Sequence, residues 1–162
     1  MPTIGAHGIM SRLPAGFEGR IFVRTSTVGM TYPVAQFATF PLPDNVGDFG
    51  SGAVTLMGPL DVFVCLFEYG PESSGTALFA QRGRPAVLSP NDFSPVRLRR
   101  GLLGQSGTQS FFTEAGRPFS LYAVLGSHAL RGSLVPKVNA LIASLTVSST
   151  TADVPVSRPQ WN

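Results

Sequence analysis

One cysteine, one lysine, one tryptophan and two histidines are few for a chain of 162 residues, and each scarcity closes a class of function. Cys65 has no second thiol to pair with. Set inside Val62-Phe63-Val64-Cys65-Leu66-Phe67, it reads as a small buried apolar residue. His7, His128 and Cys65 stand in unlike contexts, and Asp44 with Asp48 does not complete a calcium loop. No metal and no cofactor is therefore expected. Only 13% of residues are charged, and a net charge of +3 is too small to argue for a nucleic-acid partner. Lys137 is the only lysine among 12 basic residues, a skew found along the whole chain that suits base composition better than a site. No apolar run is long enough to span a membrane, and Met1 to Gly8 lacks the apolar stretch of a signal peptide. The cytoplasm is the expected compartment.

What is present suits a packed domain. Hydrophobic residues make up 43% of the chain, and at this length folding buries about 70% of the unfolded surface, enough for a core without staples. With 18 glycines and 14 prolines, short strands and many turns are favoured over long helices.

Gln105 to Leu145 holds the most consistent local signals. Gln109 to Glu114 alternates around Phe111 and Phe112, and Phe119 to Gly126 sets Phe119, Leu121, Ala123 and Leu125 against Ser120, Tyr122 and Val124, so both read as strands. Glu114-Ala115-Gly116-Arg117 between them offers a glycine for a tight turn, which predicts an antiparallel hairpin. A helix follows, with Ser133 as its expected cap and Pro136 in its first turn. Leu134, Val138, Leu141, Ile142 and Leu145 recur at helical spacing and form one apolar stripe.

Upstream, Arg20 to Arg24 and Val34 to Phe40 read as two strands able to pair, and Ala53 to Met57 as a third. Asp61 to Tyr69 is apolar on both alternating faces, the pattern of a central strand covered on both sides. Thr76 to Ala80 reads as a short helical turn. Residues 81–104, interrupted by Pro85, Pro90 and Pro95, are expected to form a long ordered loop with at most one short strand. Residues 1–14 lack periodicity and read as an arm, 15–147 as a single globular domain, and 148–162 as an extended tail.

Few residues carry chemistry. Ser127 and His128 follow the second hairpin strand. As a polar or catalytic site they would need an orienting acid, Glu114 or Asp61, and a nucleophile, Ser106 or Ser127, which the spacing does not impose. Gly101 to Gly107 has the glycine density of a phosphate loop without its Gly-Lys-Ser/Thr or following helix, and Gly50-Ser51-Gly52 is no nucleophile elbow. Arg82, Arg84, Arg97, Arg99 and Arg100 give the one local basic density, suited to phosphate, to an acidic partner surface or to keeping a loop soluble. Trp161, at the end of a tail held extended by Pro155 and Pro159, is the type of side chain that anchors interfaces.

From Gly104 to Leu145, the order of Gly-Gln-Ser-Gly-Thr-Gln, apolar strand, Glu-Ala-Gly-Arg turn, Phe-x-Leu-Tyr strand and helix is similar to the closing half of Mog1/PsbP-like domains. That resemblance implies an antiparallel sheet packed with helices and a protein-binding role; the chain departs from it in lacking a mid-chain helix. Asp48 to Gly52, Phe67 to Ser73 and Phe112 to Arg117 resemble segments of small uncharacterised proteins of high-GC bacteria, which brings no site to carry over.

Together these observations predict an α+β domain, mainly an antiparallel sheet of six or so strands with a C-terminal amphipathic helix packed on it; a β-sandwich with one helix is the alternative. The expected function is non-enzymatic: a protein-interaction or assembly protein that contacts a partner protein or further copies of itself through its arms and long loop, with Trp161, Arg97, Arg99 and Arg100 as contact residues. The alternative is a small-ligand-binding protein or enzyme with a cleft near residues 81–104 and His128, with Ser127 beside it.

Overall fold

The computed structural model describes residues 2–23, 31–44, 47, 49–99 and 101–149. Arg100 and Trp161, two of the expected contact residues, lie outside them.

The described residues form two antiparallel sheets and one helix, an α+β fold. The larger sheet has five strands, β3 (Glu18–Val23), β4 (Pro33–Ala38), β5 (Val62–Glu68), β6 (Ser106–Glu114) and β7 (Arg117–Leu125), in the order β3-β4-β5-β7-β6. The smaller has three, β1 (Thr3–Ala6), β2 (Ile9–Arg12) and β8 (Leu145–Val147), in the order β1-β2-β8. The helix, α1, spans Arg131–Ser144.

β5 is central, paired with β4 on one side and β7 on the other, and its residues from Val62 to Leu66 are wholly buried. Both its faces are covered, as its unbroken apolar run predicts. On one face Val62, Val64 and Leu66 pack with Ala35, Phe37, Leu121 and Ala123 under α1 and the small sheet. On the other, Phe63 and Cys65 pack with Val34, Tyr122 and Val124 under the segments around Val54 and Leu102. The stripe predicted for the helix is all inside: Leu134, Val138, Leu141, Ile142 and Leu145 belong to the first of these cores.

β6 and β7 meet through a two-residue turn in which Ala115 and Gly116 both have positive φ, 53° and 77°. This is the mirror-image turn whose twist suits a hairpin. His7 and Gly8, at φ 53° and 75°, make the same turn between β1 and β2.

Four expectations are corrected. Residues 1–14 are not an arm, because β1 and β2 pair as a hairpin, β2 pairs with β8, and Ile9 and Leu13 are buried in the main core. Ser148 of the expected tail is held to the same small sheet by a 2.8 Å bond from its N–H to the Gly8 carbonyl. Ala53 to Met57 is not a strand but a 3-10 turn, Val54–Leu56, since the chain curls back at Gly50 and the amides of Ala53 and Val54 both donate to the Gly50 carbonyl. Gly50 has φ +86°, and a Cβ there would lie 2.7 Å from the Phe63 ring, so only glycine fits. The helix starts before Ser133, at Arg131, with Leu130 as its capping position and no side-chain cap, which leaves Pro136 inside the helix rather than in its first turn. There it removes the bond that its amide would have made to the Gly132 carbonyl. The long loop agrees with its expectation: among its described residues it holds no strand, has two 3-10 turns, Pro90–Asp92 and Pro95–Arg97, and touches β6 at single residues.

Candidate functional site

The loop 81–99 and the outer edge of β6 form one surface. Gly107 exchanges two backbone bonds of 3.0 Å with Ser94, and Thr113 donates to the Gln81 carbonyl and accepts from the Gly83 amide, both at 2.8 Å. The backbone groups of Gly107 and Thr113 therefore point away from β7. Because a strand repeats every second residue, those of Gln109 and Phe111 point the same way. No described residue bonds to the backbone N–H or C=O of either. The edge is thus closed at both ends by the loop and open in the middle. Beside it, the buried Nε2 of Gln109 has no partner among the described residues.

Two arginines hold the loop and hairpin in place. Arg84 ion-pairs with Glu114 through Nη1 and donates through Nε to the Ile142 carbonyl and through Nη2 to that of Leu145. It thus satisfies carbonyls at the C-terminal end of α1 and binds the loop to the hairpin. Asn139 reinforces this, its Oδ1 accepting from the Leu88 amide and its Nδ2 donating to the Leu88 carbonyl. Leu88 and Phe93 tuck into the core beneath α1.

Arg117, only 4% exposed, forms a bidentate pair with buried Glu68 at 3.1 and 2.6 Å. It also donates to the carbonyls of His7, Gly8 and Ser148, and its guanidinium lies 5.1 Å from the Phe119 ring centre. This cation locks the small sheet to the large one. Neither arginine was expected to be a structural tie; an arginine one residue past a predicted turn glycine, with an acid ending the neighbouring apolar strand, is the signal that points to Arg117 and Glu68.

The arginines expected at a contact surface stand differently. Arg97 is exposed, with Nη1 on the Asp92 carbonyl at 2.9 Å, and Arg99 is exposed with its guanidinium 4.1 Å from the Phe49 ring centre. Arg82 is exposed and makes no hydrogen bond or ion pair among the described residues. The Arg99 amide donates to the Tyr122 hydroxyl at 2.7 Å, and burial pushes that phenol above its ordinary 10.0, an effect the Arg99 amide partly offsets.

A cleft of about 480 Å³ lies between the loop and the hairpin tip, lined by Arg82, Gly83, Phe79, Thr113, Glu114 and Gly116 among others. His128 is not part of it. The cleft is at the start of β7 and His128 lies past its end, about 26 Å away along the strand. The His128 amide donates to the Gly104 carbonyl at 2.7 Å, and Nδ1 is buried without a partner among the described residues. Ser127 Oγ accepts from the Leu130 amide at 3.3 Å, shaping the entry to α1. Of the candidate acids, Glu114 is held by Arg84, and the Asp61 carboxylate accepts from the Thr39 hydroxyl and the Gly58 amide. Ser106 is fully buried, closed to any substrate. No acid–His–Ser relay forms among these residues.

Among the described residues no group of three or more His, Cys, Asp or Glu side chains is placed to hold a metal, and no helix is long and apolar enough to cross a membrane. Comparison with protein-family models, curated proteins and solved structures found no match.

Proposed function

We propose that the chain is a non-enzymatic protein-interaction protein whose long loop presents the contact surface. The observation that carries this reading is the exposure of aliphatic side chains on a loop whose backbone is pinned: Val87 is 73% exposed, Val96 89%, and Leu103 fully exposed. Beside them Leu88 is tied to Asn139, Ser94 to Gly107 of β6, and the Gly104 carbonyl to the His128 amide, so the loop is pre-ordered, and ordering costs little on association. Burying such side chains against a partner gains roughly 25 cal/mol per Å² of apolar surface. Arg97, Arg99 and Arg100 belong to the polar rim of that contact, and Trp161 to a second one; the partner is another protein or a further copy, in the cytoplasm.

The test uses the full chain with Val96 and Leu103 both replaced by serine. Light scattering and affinity capture should show self-association or a captured protein that is lost in the variant, while the melting temperature stays within about 2 °C, as expected for exposed sites. A wild type that remains monomeric and captures nothing ends the reading.

The cleft at the hairpin tip favours a second reading, a small anionic ligand held by Arg82 and the backbone around Gly83 and Gly116. Ligand-induced thermal shifts abolished by Arg82→Ala would support it.

A further inference from the structure

We propose that the open middle of the β6 edge accepts an extended segment of a partner protein, flanked by acidic residues, as an added strand. This rests on the protein-interaction reading and names the chemistry of the partner.

Gln109 and Phe111 offer two outward N–H donors and two outward carbonyls in one row, the requirement for strand addition. Sheet edges are ordinarily blunted, and here the chain covers the edge at Gly107 and Thr113 while arching away between them. The arch turns toward α1, where Leu88 and Phe93 join the core, and its prolines at 85 and 90 cannot donate to a ladder. From Gly107 to Thr113 the edge measures about 20 Å, so three or four residues of an incoming segment fit in the plane of the sheet before its ends must lift away. They lift toward the face carrying Phe111, Phe79 and Tyr69, whose rings pack at centroid distances of 5.1 to 6.2 Å. Apolar side chains at alternate positions of the segment meet half-buried Phe111 and Tyr69, which Phe79, itself only 5% exposed, backs from within.

Charge selects the flanks. Exposed Arg82 stands at the Thr113 end, and exposed Arg97 and Arg99 stand beyond the Gly107 end. Glu114 is neutralised by Arg84 at one end, and at the other the single Asp92 carboxylate, bonded to the Ser89 amide, is outnumbered by Arg97 and Arg99. The site is therefore cationic at both ends and apolar between. A symmetric β6–β6 pair with a second copy is disfavoured, since both edges carry the same covering residues at Gly107 and Thr113 and the same exposed arginines. The chain's own residues 150–162 suit it poorly: Arg158 meets like charge, and Pro155 and Pro159 lack ladder donors.

The experiment uses the full chain and a labelled peptide of about eight residues, alternating valine and threonine between paired aspartates, followed by anisotropy and amide hydrogen exchange. Expected are freely exchanging Gln109 and Phe111 amides in the free protein, slowed about tenfold or more by the peptide. Gln109→Pro, which removes the outward backbone donor along with the side chain, should weaken binding about tenfold, while Gln109→Ala, which removes the side chain alone, keeps it within about threefold. A lysine-flanked peptide should bind about tenfold more weakly. The proposal falls if no peptide protection appears, or if binding ignores Gln109→Pro in a variant that melts normally. It also falls if both amides are already protected in the free chain; release of that protection by removing residues 150–162, or by dilution, would assign the edge to the tail or to a second copy. Partner capture that depends on Val96 and Leu103 yet survives Gln109→Pro would overturn the strand-addition proposal alone and leave the interaction reading standing.

Discussion

Arg117 lies buried on Glu68 with three main-chain carbonyls around it, whereas Arg97 lies on the loop surface with one carbonyl, that of Asp92, as its partner. Arg84 resembles the first, and Arg82 and Arg99 the second. The same side chain, drawn from one arginine-rich composition, thus does two kinds of work, and its surroundings decide which. Where carbonyls left over at a helix end or turn converge with a carboxylate, the planar guanidinium can satisfy several of them at once. Where they do not, the charge stays in water and is free to meet another molecule.

Removing the buried member should have the largest effect. Arg117→Ala leaves Glu68 buried without its cation and should destabilise the fold by about 3–5 kcal/mol in urea unfolding. A loss below about 1 kcal/mol would erase the distinction between the two groups. Arg84→Ala should cost less, about 1–2 kcal/mol, because its ion pair with Glu114 is partly exposed and only its bonds to the end of α1 are sheltered. Arg99 sharpens the comparison, since its amide, not its guanidinium, serves the fold through Tyr122. Tyr122→Phe should cost about 1 kcal/mol near neutral pH. It should also change the alkaline limb: the folded phenol titrates above 10.0, so the wild type keeps this contribution below pH 10 and loses it as pH rises further, because the unfolded chain releases its proton first. The variant should lack that slope in pH-dependent unfolding. Smallest of all, Arg97→Ala with Arg99→Ala should shift stability by no more than about 0.5 kcal/mol.

The parts of the fold legible in the sequence were those set by neighbours along the chain: the β6–β7 hairpin, the doubly covered β5 and the buried stripe of α1. The small sheet was not legible, because Thr3–Ala6 and Ile9–Arg12 are four residues each and become strands by pairing with one another and then with β8 at the far end of the chain. His7-Gly8 between isoleucines was the one local sign of that hairpin. The start of α1 was misplaced because Ser133 offers a capping hydroxyl, yet the turn through Ser127 and His128 had already opened the helix. Of the candidate site, the long loop was recognisable from its prolines, and the exposed arginines from their clustering. The open edge was hidden, since it depends on which residues of β6 face outward. Pro118 opposite Thr113 held that information: a residue without an N–H suits a pair that exchanges no bonds between β6 and β7, which turns Gln109 and Phe111 outward as well.

The small sheet brings residues 3–12 together with residues 145–147. A ribosome makes those first strands long before the third exists, and Arg117 cannot grip both the Gly8 and the Ser148 carbonyls until the chain has grown past residue 148. The first hairpin must wait for β8 while the intervening residues 13–144 are synthesised. The small sheet is therefore completed only when β8 arrives, and a stall before Leu145 would leave the first hairpin without that strand.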